Sequence, residues 1–376
     1  MTIRGAATWS VALVLLVGFL SPAAGQRPAF VLEGPRMPHG AQEADAQFPE
    51  RDAGLFREVF HVPGMYVNDH CLVHAHGAWH LFFIQGEVGK PGEVWYRPGN
   101  EAKIGHAKSV DLLHWKLLEP ALTTGKPGAL DSGHVFAPFA IEHEGKYSMF
   151  YAGNVVGIGS SRVFLATSDD LRRWERHPAG AVITSDPRWA AYRPEGFRGG
   201  PAGPVGCRDP HVIRHPQHGF ILYFAEWMKA DPGRGTADLE FACIAAATSR
   251  DLVHWQDRGP VLVRRQTGQE KMAYAAPESP CVVQRNGQYY LFWKGGNGTR
   301  YTISHNPLDF RDREAYFLGT CHASEIFEWE GAWCATSCSR RLDDVAHAES
   351  DRSHGLYLAG IQWDGPWPRL RRIAAP

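Results

Sequence analysis

Two short signatures alternate along this chain, and together they restrict it to a repeating, strand-built architecture. The first is a glycine followed by a mostly aromatic run. It occurs as Gly77-Ala-Trp-His-Leu-Phe-Phe83, Gly145-Lys-Tyr-Ser-Met-Phe-Tyr151, Gly219-Phe-Ile-Leu-Tyr-Phe224, Gly287-Gln-Tyr-Tyr-Leu-Phe-Trp293 and Gly331-Ala-Trp-Cys-Ala-Thr-Ser337. The second is Ser-x-Asp-Leu-x-x-Trp, at Ser109 to Trp115, Ser168 to Trp174 and Ser249 to Trp255, with a degenerate copy from Ser304 to Phe310. Self-similarity at this period points to a solenoid or a propeller. The runs themselves are short, aromatic and bounded by glycine, as strands are, and no amphipathic helix of ordinary length stands out. Five units predict an all-β fold, a five-bladed β-propeller of four-stranded antiparallel blades. Six blades is the competing arrangement, should residues 26–58 or 340–376 hold another. In the second signature the Asp is expected to cap a tight turn and the Trp to pack between neighbouring sheets.

A net charge of −1 leaves no basic surplus to hold phosphates, which argues against a nucleic-acid partner. Residues 1–25 read as a secretory signal: Arg4, an apolar run from Trp9 to Leu20, then small residues from Ser21 to Gly25. The expected mature protein is secreted or periplasmic, free of the membrane after cleavage, and a monomer. Residues 26–58 are expected to be an N-terminal extension and 59–376 the propeller, with Leu356 to Trp363 pairing with the first blade to seal the ring. Seven cysteines leave at least one thiol unpaired. Cys334 and Cys338 are too far apart along a strand to bridge each other, and Cys71, Cys207 and Cys281 read as small buried fillers. No Cys-rich zinc spacing is present.

Three carboxylates precede the glycine strands: Asp69 in Val67-Asn68-Asp69-His70, Asp209 in Arg208-Asp209-Pro210-His211, and Glu278 in Pro277-Glu278-Ser279-Pro280. They lie eight, ten and nine residues before their glycines, which places all three at the starts of inner strands, where a propeller makes distant residues converge. Phe136 to Phe139, with His134 upstream, takes that place in the second unit, and Cys321 to Glu325, with His322, in the fifth. Two carboxyl groups flanking a glycosidic bond suffice for its hydrolysis, one as acid and the other as nucleophile or base. A third can bind hydroxyls and raise the pKa of the acid. An oligo- or polysaccharide substrate follows. Asn68, His134, Arg208, His211, His322 and Glu325 are the candidate substrate-binding residues. His74, His76 and His80 alternate in a way that suits metal ligands, but Gly77 turns the chain within the set, so no metal ligands are assigned. Trp95, Tyr96 and Trp227 are candidates for stacking on a sugar ring, and Asn297-Gly298-Thr299 matches a glycosylation acceptor.

Tyr66-Val67-Asn68-Asp69 resembles the Asn-Asp opening motif of glycoside hydrolase family 32, Arg208-Asp209-Pro210 its Arg-Asp-Pro motif, and Glu278-Ser279-Pro280 its Glu-Cys-Pro motif. Phe136-Ala137-Pro138 and the glycine-aromatic strands are more similar to family 43. The resemblance covers residues 60 to 365. It implies a five-bladed propeller glycosidase with Asp69 as nucleophile or general base, Asp209 as transition-state stabiliser and Glu278 as general acid. No cofactor is required, and the resemblance alone implies a structural cation in the channel. This chain departs from family 32 in having His70-Cys71-Leu72 after the Asp and no room for a C-terminal β-sandwich. It departs from family 43 at Phe139. Pentose- or fructose-containing glycans are the expected substrates. The rivals are a non-catalytic sugar-binding propeller and a phosphorylase, the latter needing Arg208 with Lys294 or Arg300 around a phosphate.

Overall fold

The computed structural model describes residues 32–33, 54–88, 99–155, 160–196, 200–229, 241–265, 276–296, 298–338 and 355–374. The expected signal segment, Trp95, Tyr96 and Asn297 lie outside them. Every regular element among the described residues is a β-strand. Five antiparallel sheets follow one another in chain order, as the repeat predicts. Their inner strands are Met65–Ala75, His134–His143, Arg208–His215, Glu278–Arg285 and Ile326–Trp329. A separate two-stranded ribbon joins Tyr192–Arg193 to Gly203–Pro204.

The repeat glycines owe their place to the hairpin between the first two strands of each blade. Gly77, Gly145, Gly287 and Gly331 have φ of 71–78°, and the residues before them, His76, Glu144, Asn286 and Glu330, lie at 50–52°. Two successive positive φ values define the type I′ turn, whose twist matches that of the flanking strands. The aromatic run then fills the wedges between blades. Phe82, Tyr151 and Ala166 belong to the core between the first and second blades, and Phe150, Leu222 and Phe224 to that between the second and third. Ile221, Tyr223 and Trp293 pack between the third and fourth, and Phe292, Tyr301 and Ala335 between the fourth and fifth. The apolar core is thus divided into wedges, each of which holds two neighbouring sheets together.

The second signature behaves as its residues suggest. Asp111 Oδ1 accepts from the amides of Leu113 and His114, both at 2.9 Å, while Leu112 takes a φ of 63°. The copies at Asp170 and Asp251 repeat the bonds, and Leu171 and Leu252 repeat the φ. The tryptophans reach across to the preceding blade: Trp174 meets Phe82 edge-on at 5.4 Å and Trp255 meets Phe150 at 5.5 Å. In the degenerate copy Asn306 replaces the Asp, and Phe310 is buried against the third blade, its amide bonded to Val261 O. Asp111→Ala should cost about 1 kcal/mol, the usual loss for a side-chain cap, read as a fall in the urea midpoint at unchanged m-value.

Ring closure differs from expectation. Leu356–Asp364 does not pair with the first blade. It is the third strand of the fifth blade, beside Ala332–Ser337, and its outer edge is shared. Gly360 to Asp364 pair with Trp367–Ile373, and the first half pairs with Arg57–Phe60, which enters from before the first blade. The N-terminal segment therefore closes the ring, with Phe60 packed on Phe83 and Leu356 in one cluster. Leu32–Glu33 adds to the outermost strand. All seven cysteines are buried.

Candidate active site

Each inner strand carries a bulge at the same place. Register shifts fall between Asn68 and His70, Phe136 and Phe139, Arg208 and His211, and Glu278 and Cys281. In the fifth blade, Cys338 N bonds to His322 O and Thr336 N to Glu325 O, which is the same shift. The five blades therefore align residue by residue. Asn68, Phe136, Arg208, Glu278 and His322 occupy the position before the bulge. Asp69, Ala137, Asp209, Ser279 and Ala323 occupy the bulge, and the last four have φ of 48–58°. A non-glycine residue in that region costs about 1–3 kcal/mol, a strain that collects at functional sites. It also turns the bulged side chain away from the direction a regular pleat would give it. The three carboxylates are accordingly not at one position: Asp69 and Asp209 are bulge residues, and Glu278 stands one residue ahead of its bulge.

They nevertheless meet. Ser279 joins two of them, its hydroxyl donating to Asp69 Oδ1 at 2.6 Å and its amide to Asp209 Oδ2 at 3.0 Å. Arg208 links Asp209 to the third: Nη2 donates to Glu278 Oε2 at 2.8 Å, and Nε lies 3.5 Å from Asp209 Oδ2. Glu278 Oε1 accepts from Lys294 Nζ at 2.6 Å, and Lys294 is buried. The register explains this pair, because Lys294 is the cross-strand partner of Glu278.

The charges divide unevenly. Burial drives the Asp69 carboxyl well above the usual range, and Asp209 adds to this against the bond from Ser279. Burial also lifts Asp209, to about 6, although Arg208 opposes it. At Glu278 burial acts in the same direction, but Lys294 and Arg208 together outweigh it and hold the group at about 2. A resting general acid would be expected to show the opposite sign. The surroundings in the ligand-free protein therefore favour a proton on Asp69 and a negative charge on Glu278.

The other expected residues separate into three groups. Asn68 and His322 flank the carboxylates: Asn68 Oδ1 accepts from Cys338 Sγ at 3.0 Å, and His322 is buried and helps hold Glu278 ionised. His134 lies three residues before the bulge position of its blade, bonded through Nδ1 to Asn154 at 3.0 Å. His211 and Glu325 sit one layer further along the channel, with Nδ1 and Oε1 3.8 Å apart. Trp227 ends the second strand of the third blade, half-buried. The histidines that tempted a metal reading have other partners: His74 packs on Trp79, His76 bonds to Tyr147 and His80 to His106. The cations a phosphorylase would need are engaged, Arg208 and Lys294 with Glu278 and Arg300 with Gly295 O.

Glu101 escaped the sequence reading. It is buried, bonded by Tyr66 Oη at 2.9 Å, and close enough to raise Asp69 electrostatically. Burial pushes its own carboxyl from 4.5 to about 7. The native state then keeps a proton that the unfolded chain releases, so stability falls as pH rises from about 4.5 to about 7. Between pH 5 and 8 the wild type should lose up to about 3 kcal/mol more than Glu101→Gln, measured by urea unfolding at both pH values.

Residues 60–234 match the Glycosyl hydrolases family 32 N-terminal domain. That stretch includes Asp69 and Asp209 but stops short of Glu278. A sucrose-6-phosphate hydrolase of Escherichia coli is 28% identical over 205 residues, 52% of this chain and 37% of that protein. A raffinose invertase of the same organism is 29% identical over 182 residues, 46% of this chain and 33% of the other. The chain thus spans about a third of the length of either relative. Among solved structures, a Bombyx mori family 32 beta-fructofuranosidase aligns with a TM-score of 0.59 at 16% identity, over 88% of this chain and 68% of its own. A Cellvibrio cellulosa alpha-L-arabinanase complexed with arabinohexaose aligns with 0.56 at 17%, over 84% and 96%. With the repeat, the bulged inner strands and the matched stretch taken together, this chain is a five-bladed β-propeller whose residues 60–234 are similar to the Glycosyl hydrolases family 32 N-terminal domain.

Proposed function

We propose that the protein is an exported glycoside hydrolase acting on a pentose- or fructose-containing glycan. The observation that carries this reading is the convergence of Asp69, Asp209 and Glu278 from three blades around Ser279 and Arg208. Asp69 serves as nucleophile or base, Glu278 as the acid, and Asp209 binds hydroxyls and stabilises the developing charge. For Glu278 to donate a proton, the proton held on the Asp69 side must reach it. Substrate hydroxyls that draw Arg208 or Lys294 away from Glu278 would raise its pKa and allow that transfer. Export rests on residues 1–25, and the family 32 match supports the hydrolytic reading.

A second reading has one observation in its favour. A propeller that only binds sugars has no need of a protonated Glu278, and the group is ionised here. Reducing-sugar release from arabinan, xylan, galactan, fructan, sucrose and raffinose distinguishes the two. The expected result is release from at least one substrate, abolished in Asp69→Asn. Sugar binding without release from any of them would leave the lectin-like reading in its place.

A further inference from the structure

One layer beyond the bulge, the aligned position is held by Cys71, Phe139, His211, Cys281 and Glu325, one residue from each blade. The last three bring a ring nitrogen, a thiol sulfur and a carboxylate oxygen to within 4.8 Å of one another. Nδ1 of His211 is 3.8 Å from Glu325 Oε1, and Sγ of Cys281 is 3.8 Å from Oε2. Around a four-coordinate zinc ion, with bonds of about 2.0–2.3 Å, neighbouring donors stand roughly 3.3–3.7 Å apart. The two separations to Glu325 are within a few tenths of an ångström of that range, and the third, between His211 and Cys281, lies inside 4.8 Å.

The surrounding hydrogen bonds are those a ligand set requires. His211 Nε2 lies 3.2 Å from Val282 O, so the ring proton belongs on Nε2, donated to that carbonyl. Nδ1 then carries the lone pair. It is buried and has no hydrogen-bond partner, in a residue only 6% exposed. A histidine that gives one N–H to a backbone carbonyl and turns its other nitrogen into a polar cavity is oriented as metal ligands are. Phe139 packs its ring 4.5 Å from the imidazole and fixes its plane. Ile326 donates its amide to Cys281 Sγ at 3.3 Å and holds the sulfur in place, while burial and the Glu325 carboxylate push the metal-free thiol's pKa up.

We propose that His211, Cys281 and Glu325 form a binding site for a thiophilic divalent cation, best matched by zinc. The mixed N, S, O set does not suit calcium or magnesium, which take oxygen ligands. Binding replaces the Cys281 thiol proton, which leaves to solvent, and the fourth coordination position is filled by water. Because His211 and Cys281 follow Asp209 and Glu278 by two and three residues on the same strands, the ion would clamp three blades just beneath the carboxylates. Its presence does not depend on the hydrolytic reading.

Cobalt(II) added to the chelator-treated full chain gives a direct test. One equivalent should bind and produce a sulfur-to-cobalt charge-transfer absorption, displaced by zinc(II). Cys281→Ser should abolish the band, and Glu325→Gln should weaken cobalt affinity by about tenfold or more. Zinc should also raise the wild-type melting temperature, a readout that stands if Cys281→Ser does not fold. No band in the wild type at several equivalents of cobalt would overturn the site and leave a simple His211–Glu325 contact. A band that survives in Cys281→Ser would overturn it equally, by placing the metal on another cysteine.

Discussion

Glu278→Gln should lower kcat by about a hundredfold to ten-thousandfold on a glycoside whose leaving group needs protonation, the range a positioned general acid contributes. The loss should shrink sharply on an aryl glycoside whose leaving group departs as a stable anion, because such a bond breaks without an acid. Asp69→Asn should show no such rescue, since attack or base action is needed whatever leaves. The contrast separates an acid from a residue that merely holds a hydroxyl, which would raise KM for both substrates alike. It also separates Glu278 from Asp209, whose proposed role is to stabilise charge at the sugar rather than at the leaving oxygen. Equal losses for Glu278→Gln on both substrates would remove it from the acid's role. The family 32 match ends at residue 234, so it lends this assignment no support, and the kinetic contrast is the decisive observation.

The architecture was legible because it is written locally. Each glycine of the first signature sits in a hairpin whose geometry demands a positive φ, and each Asp of the second caps its own turn within three residues. Such features do not depend on the rest of the fold, so they survive in the sequence as a pattern. Ring closure is different. Whether Leu356–Asp364 ends one sheet or serves the next depends on which segment reaches its open edge, and Arg57–Phe60 lies some three hundred residues away. Alternation along a strand records that one face is buried, not which neighbour covers its edge.

The site was legible in part for the same reason. Asp69, Ala137, Ser279 and Ala323 all stand eight residues before their glycines, and this spacing marks the bulge. Asp209 stands ten before Gly219 because the turn of the third blade, at Pro216 to His218, is one residue longer and its glycine falls just after the turn, on the first residue of the next strand. The same count shows Glu278 one residue early, with Ser279 in the bulge. Glu101 carried no such mark, because it lies in a loop ahead of a third strand, is bonded by Tyr66 and acts on Asp69 only through its charge. Lys294 did leave a trace, a charge directly after the apolar run Tyr289 to Trp293. Its partner could be named only once the two strands were in register.

That pair is the source of the second large effect. Lys294→Met leaves Glu278 buried with only Arg208 and His322 to offset its charge, and breaking a buried pair by removing one partner typically costs about 3–5 kcal/mol. Glu278→Gln should cost a comparable amount by stranding Lys294, and the double variant should lose less than the two single losses combined. The kinetic consequence has a definite sign. In the wild type, Glu278 stays ionised until the pH falls to about 2, so its share of stability is present above its ordinary value of 4.5 and is lost as pH falls towards 2. Without Lys294, burial dominates and the pKa rises. Asp69 and Glu278 titrate as a coupled set, and activity needs one proton on the pair. Raising the lower of their two macroscopic pKa values moves the acid limb of kcat/KM upward. The wild type should therefore keep its kcat/KM down to the pH at which it unfolds, while Lys294→Met shows an acid limb well above that point. A Lys294→Met protein that is less stable but has an unchanged acid limb would mean that Lys294 only anchors Glu278. The proton on Asp69 would then have no bearing on turnover.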